Sequence, residues 1–167
     1  EDQALAELAA MIDANKLHKN YIGLGYSDSI TPAVIRRNVF ENPGWYTAYT
    51  LYQAEIAQGR LQALLNYQQM VSDLTGFDLA NASLLDEATA AAEAMAMARR
   101  INPTNGNKFF IANNVLPQTL SVMQTRAKYL GIELLIAPIA ELNPSEVFGV
   151  FLQNPDLTGN LCDYTVL

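Results

Sequence analysis

Apolar positions recur with two different rhythms along this chain. From Ala4 to Asn15, Leu5, Leu8, Ala9 and Ile12 fall at helical spacing behind acidic Glu1 and Asp2, which predicts a first helix ending near Lys16. Thr31 as cap and Pro32 as first helical residue predict a second helix, striped by Val34, Ile35, Val39 and Phe40 and stopped by Asn42-Pro43-Gly44. Arg60 to Thr75 predicts a third, with Leu61, Leu64, Leu65, Val71 and Leu74 on one face and Gly76 past its end. Tyr67 and Met70 widen that face, so burial on more than one side is expected. The short apolar run Leu79 to Leu84 then leads into Asp86-Glu87 and an alanine-rich stretch, where early acidic residues signal a strong helix start.

After the turn residues Pro103 to Asn107 the rhythm changes. Lys108 to Ala112 reads as a buried strand, and Gln118 to Leu130 as a helix with Leu120, Met123, Ala127 and Leu130 inward and Gly131 as its cap. Glu133 to Ala137 and Val147 to Leu152 read as two more strands, followed by a loop over Asn154 to Gly159. Strand, helix and strand at this spacing predict an α/β unit with a mainly parallel sheet. With so few strands, the sheet is expected to expose an apolar edge and face, leaving the piece unstable or in need of a partner.

One stretch fits neither rhythm. Trp45 to Gly59 has no helical or strand period, yet carries the rings of Trp45, Tyr46, Tyr49 and Tyr52 among threonine and glutamine. An apolar ring face with a polar tip suits a pocket for a small polar molecule, although the same composition also suits a plain connector between helices. Upstream, Tyr21-Ile22-Gly23-Leu24-Gly25-Tyr26 lacks the third glycine and the βαβ setting of a dinucleotide fingerprint. Its glycines are expected to make tight backbone turns beneath the aromatic stretch.

Half of the 167 residues are apolar and 16% are charged, which places the chain among folded domains with a real core. A net charge of −7 with no basic cluster argues against nucleic acid as a partner. No apolar run reaches bilayer-spanning length, so no membrane association is expected. Cys162 is the only cysteine and His18 the only histidine, which excludes an internal disulfide and a Cys/His zinc cluster.

The segment Ala48-Tyr49-Thr50-Leu51-Tyr52-Gln53-Ala54-Glu55-Ile56-Ala57-Gln58-Gly59 resembles a signature of the glycine decarboxylase P-protein family, the pyridoxal-phosphate component of the glycine cleavage system. Tyr21 to Tyr26 and Ala80 to Ala94 agree with the same family, in the same order. Leu51 departs from it, standing where the family has proline; losing a fixed φ is expected to loosen the segment.

The resemblance spans the chain, but the family's polypeptide is several times longer, so a piece from its N-terminal part is expected. The implied fold is an incomplete pyridoxal-phosphate-dependent transferase-like large domain over residues 79–167, preceded by N-terminal helices and the aromatic segment over residues 1–78. The implied reaction is decarboxylation of glycine, with the aminomethyl group passed to the lipoyl arm of the H-protein. Tyr49, Thr50, Tyr52, Gln53 and Gln58 are the expected substrate-side residues: tyrosine hydroxyls for the glycine carboxylate, Thr50 and Gln53 as secondary contacts, Gln58 holding the segment.

The family also needs a Schiff-base lysine, and neither Lys16, Lys19, Lys108 nor Lys128 has the small-residue, strand-end setting of one. A loop entering a helix near Asp86 cradles the cofactor phosphate in related folds, but an acidic pair there would repel it. The piece therefore reads as the silent N-terminal half, inactive alone, with no catalytic residue of its own. Its implied partners are the H-protein, the C-terminal half of the P-protein and glycine, in a homodimer or heterotetramer. The implied location is cytoplasmic in a bacterium and the mitochondrial matrix in a eukaryote. The rival reading is a non-catalytic truncated copy acting as an interaction module or without function; a hydrolase using Asp86 and Glu87 is disfavoured, because adjacent residues on a helix start point apart.

Overall fold

The computed structural model describes residues 1–46, 54–82, 84–103 and 106–165. Among the described residues the elements are, in order, α1 (Asp2–Asp13), α2 (Ala33–Ile35, continuing as a wider π turn through Arg36–Phe40), α3 (Pro43–Tyr46), α4 (Ala54–Thr75), α5 (Glu87–Ile101), β1 (Lys108–Ala112), α6 (Pro117–Leu130), β2 (Glu133–Ala137) and, after short 3-10 turns at Ile139–Glu141 and Pro144–Glu146, β3 (Val150–Phe151).

The three strands form one parallel sheet in the order β2-β1-β3. The central strand is the most apolar: Phe109, Phe110, Ile111 and Ala112 are all buried. Helix α6 connects β1 to β2, and Gly131 lets it stop in a left-handed residue at φ 66° that an L side chain adopts only at a cost. Helix α5 brings Ala91, Ala92 and Met95 onto the same core as Met123 and Ala127 of α6. Alanines at those positions let the helix backbones approach closely. Phe148 stacks tilted on Phe109, with ring centroids 5.2 Å apart, and the Arg99 guanidinium lies 5.5 Å from the Phe148 ring centre.

Both the parallel sheet and its βαβ unit appear as expected, and β1 and β2 have the predicted bounds. Several other expectations need correction. The third strand is two residues long instead of six, because Val147 and Phe148 turn into the core before the ladder begins, although Phe148 N–H still donates to Lys108 O at 2.9 Å. Leu130, the last residue of α6, is half exposed instead of inward. Pro32 is the residue before α2, and Thr31 makes no cap to it. The helical run ends at Phe40, just ahead of Asn42-Pro43-Gly44 as expected, but those residues also start α3: Asn42 Oδ1 accepts from Gly44 N–H at 2.9 Å, and its carbonyl from Trp45 N–H. Helix α1 begins two residues early and ends at Asp13, short of Lys16.

The largest revision concerns α4. It starts at Ala54, so the end of the aromatic stretch is helical and not loop, and the helix is exposed along much of its length instead of buried on more than one side. Leu65, Tyr67, Met70 and Leu74 are all at least 49% exposed. Among the described residues before Ala57 none is buried, and the apolar stripe of α1, Leu5, Leu8, Met11 and Ile12, faces solvent. Among the described residues, no helix is long and apolar enough to cross a membrane.

Candidate functional site

The glycine turn and the start of α5 line one cleft, and the loop after β3 reaches the residues that lead into α6. The first of these elements is the glycine turn. Gly23, Leu24 and Gly25 have φ of 67°, 57° and 85°, and Tyr26 N–H donates to Gly23 O at 3.0 Å to close the turn. Two of these residues adopt the left-handed region freely as glycines; Leu24 does so at a cost of about 1–2 kcal/mol. Gln118, in the first turn of α6, holds it there by donating from Nε2 to Leu24 O at 2.7 Å. Gly25 lies close beneath: a Cβ on it would stand 3.3 Å from Leu116 Cδ1.

The second element is the N-terminus of α5. Asp86, extended at φ −157°, caps the helix by accepting from Thr89 N–H at 2.7 Å. Those bonds from Thr89 hold its carboxyl below the usual carboxylate range. A carboxylate with a lowered folded-state value stabilises the fold above its unfolded value, near 3.8, and ceases to do so as pH falls through the folded value. Asp86→Ala is therefore expected to lower the melting temperature at neutral pH and to leave it nearly equal to that of the unaltered chain below pH 3. Melting curves across pH 2–7 check this; an equal difference at every pH would contradict it.

The third element is the loop after β3. Asp156 accepts from Thr158 Oγ1 at 2.8 Å, Thr158 N–H at 2.8 Å, Asn160 N–H at 3.0 Å and Asn114 Nδ2 at 3.0 Å. The Thr158 hydroxyl contributes most to holding the Asp156 carboxyl far below its ordinary value. The ordered loop presents Gln153, whose Oε1 accepts from Leu116 N–H at 2.9 Å just before α6. Between the glycine turn, Asp86 to Ala88 and Gln118 lies an open cleft of about 390 Å³.

At the start of α5 Asp86 already accepts from the Thr89 amide, and a phosphate there would face the carboxylates of Asp86 and Glu87. The residues here do not fit the phosphate of pyridoxal phosphate. The lysines are equally unsuited: Lys16, Lys19 and Lys128 are exposed, and Lys108, at the start of the central strand, lies 4.0 Å from Glu146.

Of the substrate-side residues expected from sequence, Tyr49, Thr50, Tyr52 and Gln53 lie outside the described residues, as does Leu51. Gln58 is described: it is exposed on the second turn of α4. The flanks of the motif are visible. Trp45 is 40% exposed at the end of α3, and Arg60 reaches back from α4 to donate from Nη2 to Gly44 O. A shallow hollow of about 330 Å³ lies between Asn42, Gly44, Trp45, Ile56, Gly59 and Arg60. Sequence reasoning missed Arg60 and Gln118 as site-shaping residues. Arg60 adjoins the motif and could have been flagged as its first cation; Gln118 gave no signal.

The family model described as "Glycine cleavage system P-protein" matches residues 1–167. Curated relatives named "Glycine dehydrogenase (decarboxylating)" are 61% identical over 163 residues in Stutzerimonas stutzeri, 60% over 165 in Chromobacterium violaceum and 54% over 167 in Cupriavidus metallidurans. These alignments cover 98%, 99% and 100% of this chain but 17% of each relative. The solved structure "Crystal structure of glycine decarboxylase (P-protein) of the glycine cleavage system, in inhibitor-bound form" matches with a TM-score of 0.81 and 33% identity, covering 96% of this chain and 38% of that one. Sequence and fold thus agree over essentially the whole chain, and the chain belongs to the glycine cleavage system P-protein family.

Proposed function

We propose that this chain is the supporting part of a glycine dehydrogenase (decarboxylating), in which glycine loses its carboxylate as carbon dioxide and its aminomethyl group passes to the lipoyl arm of an H-protein. Pyridoxal phosphate supplies the electron sink in the complete protein, held by residues that are not in this chain. Residues 1–78 carry the helices and the substrate segment, and residues 79–167 the first part of the α/β domain. Tyr49 and Tyr52 donate to the glycine carboxylate, Thr50 and Gln53 make secondary contacts, and Gln58 steadies the segment from α4.

The observation that supports this reading is the acidic start of α5, where the Asp86 carboxylate takes the Thr89 amide and disfavours a cofactor phosphate. The apolar surface of α1 and α4 supports the same division, since the C-terminal half offers the cover it lacks here. The chain alone is expected to be inactive. Mixed with a separately expressed C-terminal half, pyridoxal phosphate and lipoylated H-protein, it should restore release of labelled carbon dioxide from carboxyl-labelled glycine. Equal release by the C-terminal half without this chain would count against the proposal.

A further inference from the structure

We infer that residues 16–32 form a strap that opens and closes over the start of α5 independently of the α/β core, with the Gln118 side chain as its latch. These residues carry no helix or strand between α1 and α2, a run longer than a plain connection needs. None of them is buried, and Leu17, Tyr21 and Ile30 are 97%, 86% and 95% exposed. Apolar burial therefore does little to hold the strap down. Its hold is polar and confined to one place. Among the described residues, the bond from Gln118 Nε2 to Leu24 O at 2.7 Å is the only hydrogen bond or ion pair that joins residues 1–42 to residues 84–165.

The two sides of that bond differ in firmness. Gln118 stands in the first turn of α6, whose next residue, Thr119, is buried and whose Met123 and Ala127 lie in the core. Ahead of it Leu116 is buried, and its amide donates to Gln153 Oε1 at 2.9 Å. The strap side is a turn of three successive left-handed residues, Gly23 to Gly25, closed on itself by the bond from Tyr26 N–H to Gly23 O. Glycine adopts that region freely, whereas Leu24 keeps it only while a neighbour holds it there. That neighbour is Gln118, which grips the Leu24 carbonyl itself. A segment with one outside bond, no buried side chain and a disfavoured residue at the bond opens at far lower free energy than a packed core. Opening takes Leu24, Gly25 and Tyr26 away from Asp86, Glu87 and Ala88, which removes one wall of the cleft of about 390 Å³ and uncovers Leu116, beside which Gly25 sits.

Millisecond hydrogen exchange on the complete protein tests this. The Tyr26 amide reports the turn, and the Phe110 and Phe148 amides, which donate to Gly149 O and Lys108 O, report the core. Gln118→Ala is expected to quicken exchange at Tyr26 by about 3- to 10-fold, the worth of one hydrogen bond, and to leave Phe110 and Phe148 unchanged. Gln118→Glu keeps the length of the side chain but, ionised, loses the donor, so it should quicken Tyr26 alike. Leu24→Gly added to Gln118→Ala should recover part of the protection, since glycine holds a left-handed turn without the latch. Unaltered exchange at Tyr26 in both Gln118 variants overturns the latch, as does a double variant that exchanges as fast as Gln118→Ala alone. Exchange that quickens equally at Tyr26, Phe110 and Phe148 overturns the independent opening, because the strap would then move only when the core does.

Discussion

Phe110→Ala is expected to destabilise this chain by about 3–5 kcal/mol, most of the stability a small domain commands. Phe110 is 2% exposed on the central strand β1, with Leu135 of β2 and Val150 of β3 as its neighbours across the sheet. It belongs to the buried cluster in which Met95, Ile111 and Met123 are also fully buried. None of those neighbours can collapse into the gap without breaking helix or ladder bonds, so the cavity cost adds to the lost burial. Urea titration of the complete protein checks it, through the transition that reports this unit. A loss below about 1 kcal/mol would mean that the core relaxes around the gap, contrary to the packing described.

Tyr49→Phe in the complete protein is expected to lower kcat/KM for glycine by about 10- to 150-fold, the equivalent of one hydrogen bond to a charged group at about 1.5–3 kcal/mol. The substitution removes one oxygen and keeps the ring, so the fold should not change. Tyr52→Phe should behave alike if both hydroxyls reach the carboxylate, and the double variant should lose more than either. Steady-state rates at varied glycine concentration decide it. If both single variants kept the unaltered kcat/KM, the aromatic segment would be a connector after all.

The α/β part of the fold was legible because its signals are local. Lys108 to Ala112 and Glu133 to Ala137 are short apolar runs bounded by turn residues, and Gly131 marks the end of α6 by the one conformation glycine adopts cheaply. The third strand was overread because Val147 to Leu152 is apolar for two different reasons: Val147 and Phe148 fill the core, and only Val150 and Phe151 pair with β1. The aromatic stretch was read as loop to Gly59, since aperiodic apolar residues hide a helix. Alanine, glutamate and glutamine carry α4 back to Ala54, and Gly59 is tolerated inside it. The burial of α4 was overestimated because periodicity tells which face is apolar and not whether anything covers it.

Site geometry was legible only where it is local. Asp86 as a cap could be read from an acidic residue before an alanine run, and its occupation of the helix end agrees with the argument against a phosphate there. Gln118 could not be: its partner Leu24 is 94 residues away, and nothing in either sequence neighbourhood points to the other. The flanks of the aromatic motif are held by Arg60 and Asn42, polar residues that sequence pattern alone assigns to a solvated surface.

The most direct test of the division of labour between this chain and the rest of the protein is to map the cofactor. The complete protein is incubated with pyridoxal phosphate, reduced with borohydride and digested, and the labelled lysine is identified by mass. The label is expected outside this chain, with Lys16, Lys19, Lys108 and Lys128 unmodified. A stoichiometric label on any of these four would contradict the supporting role and place the cofactor in the part of the molecule described here.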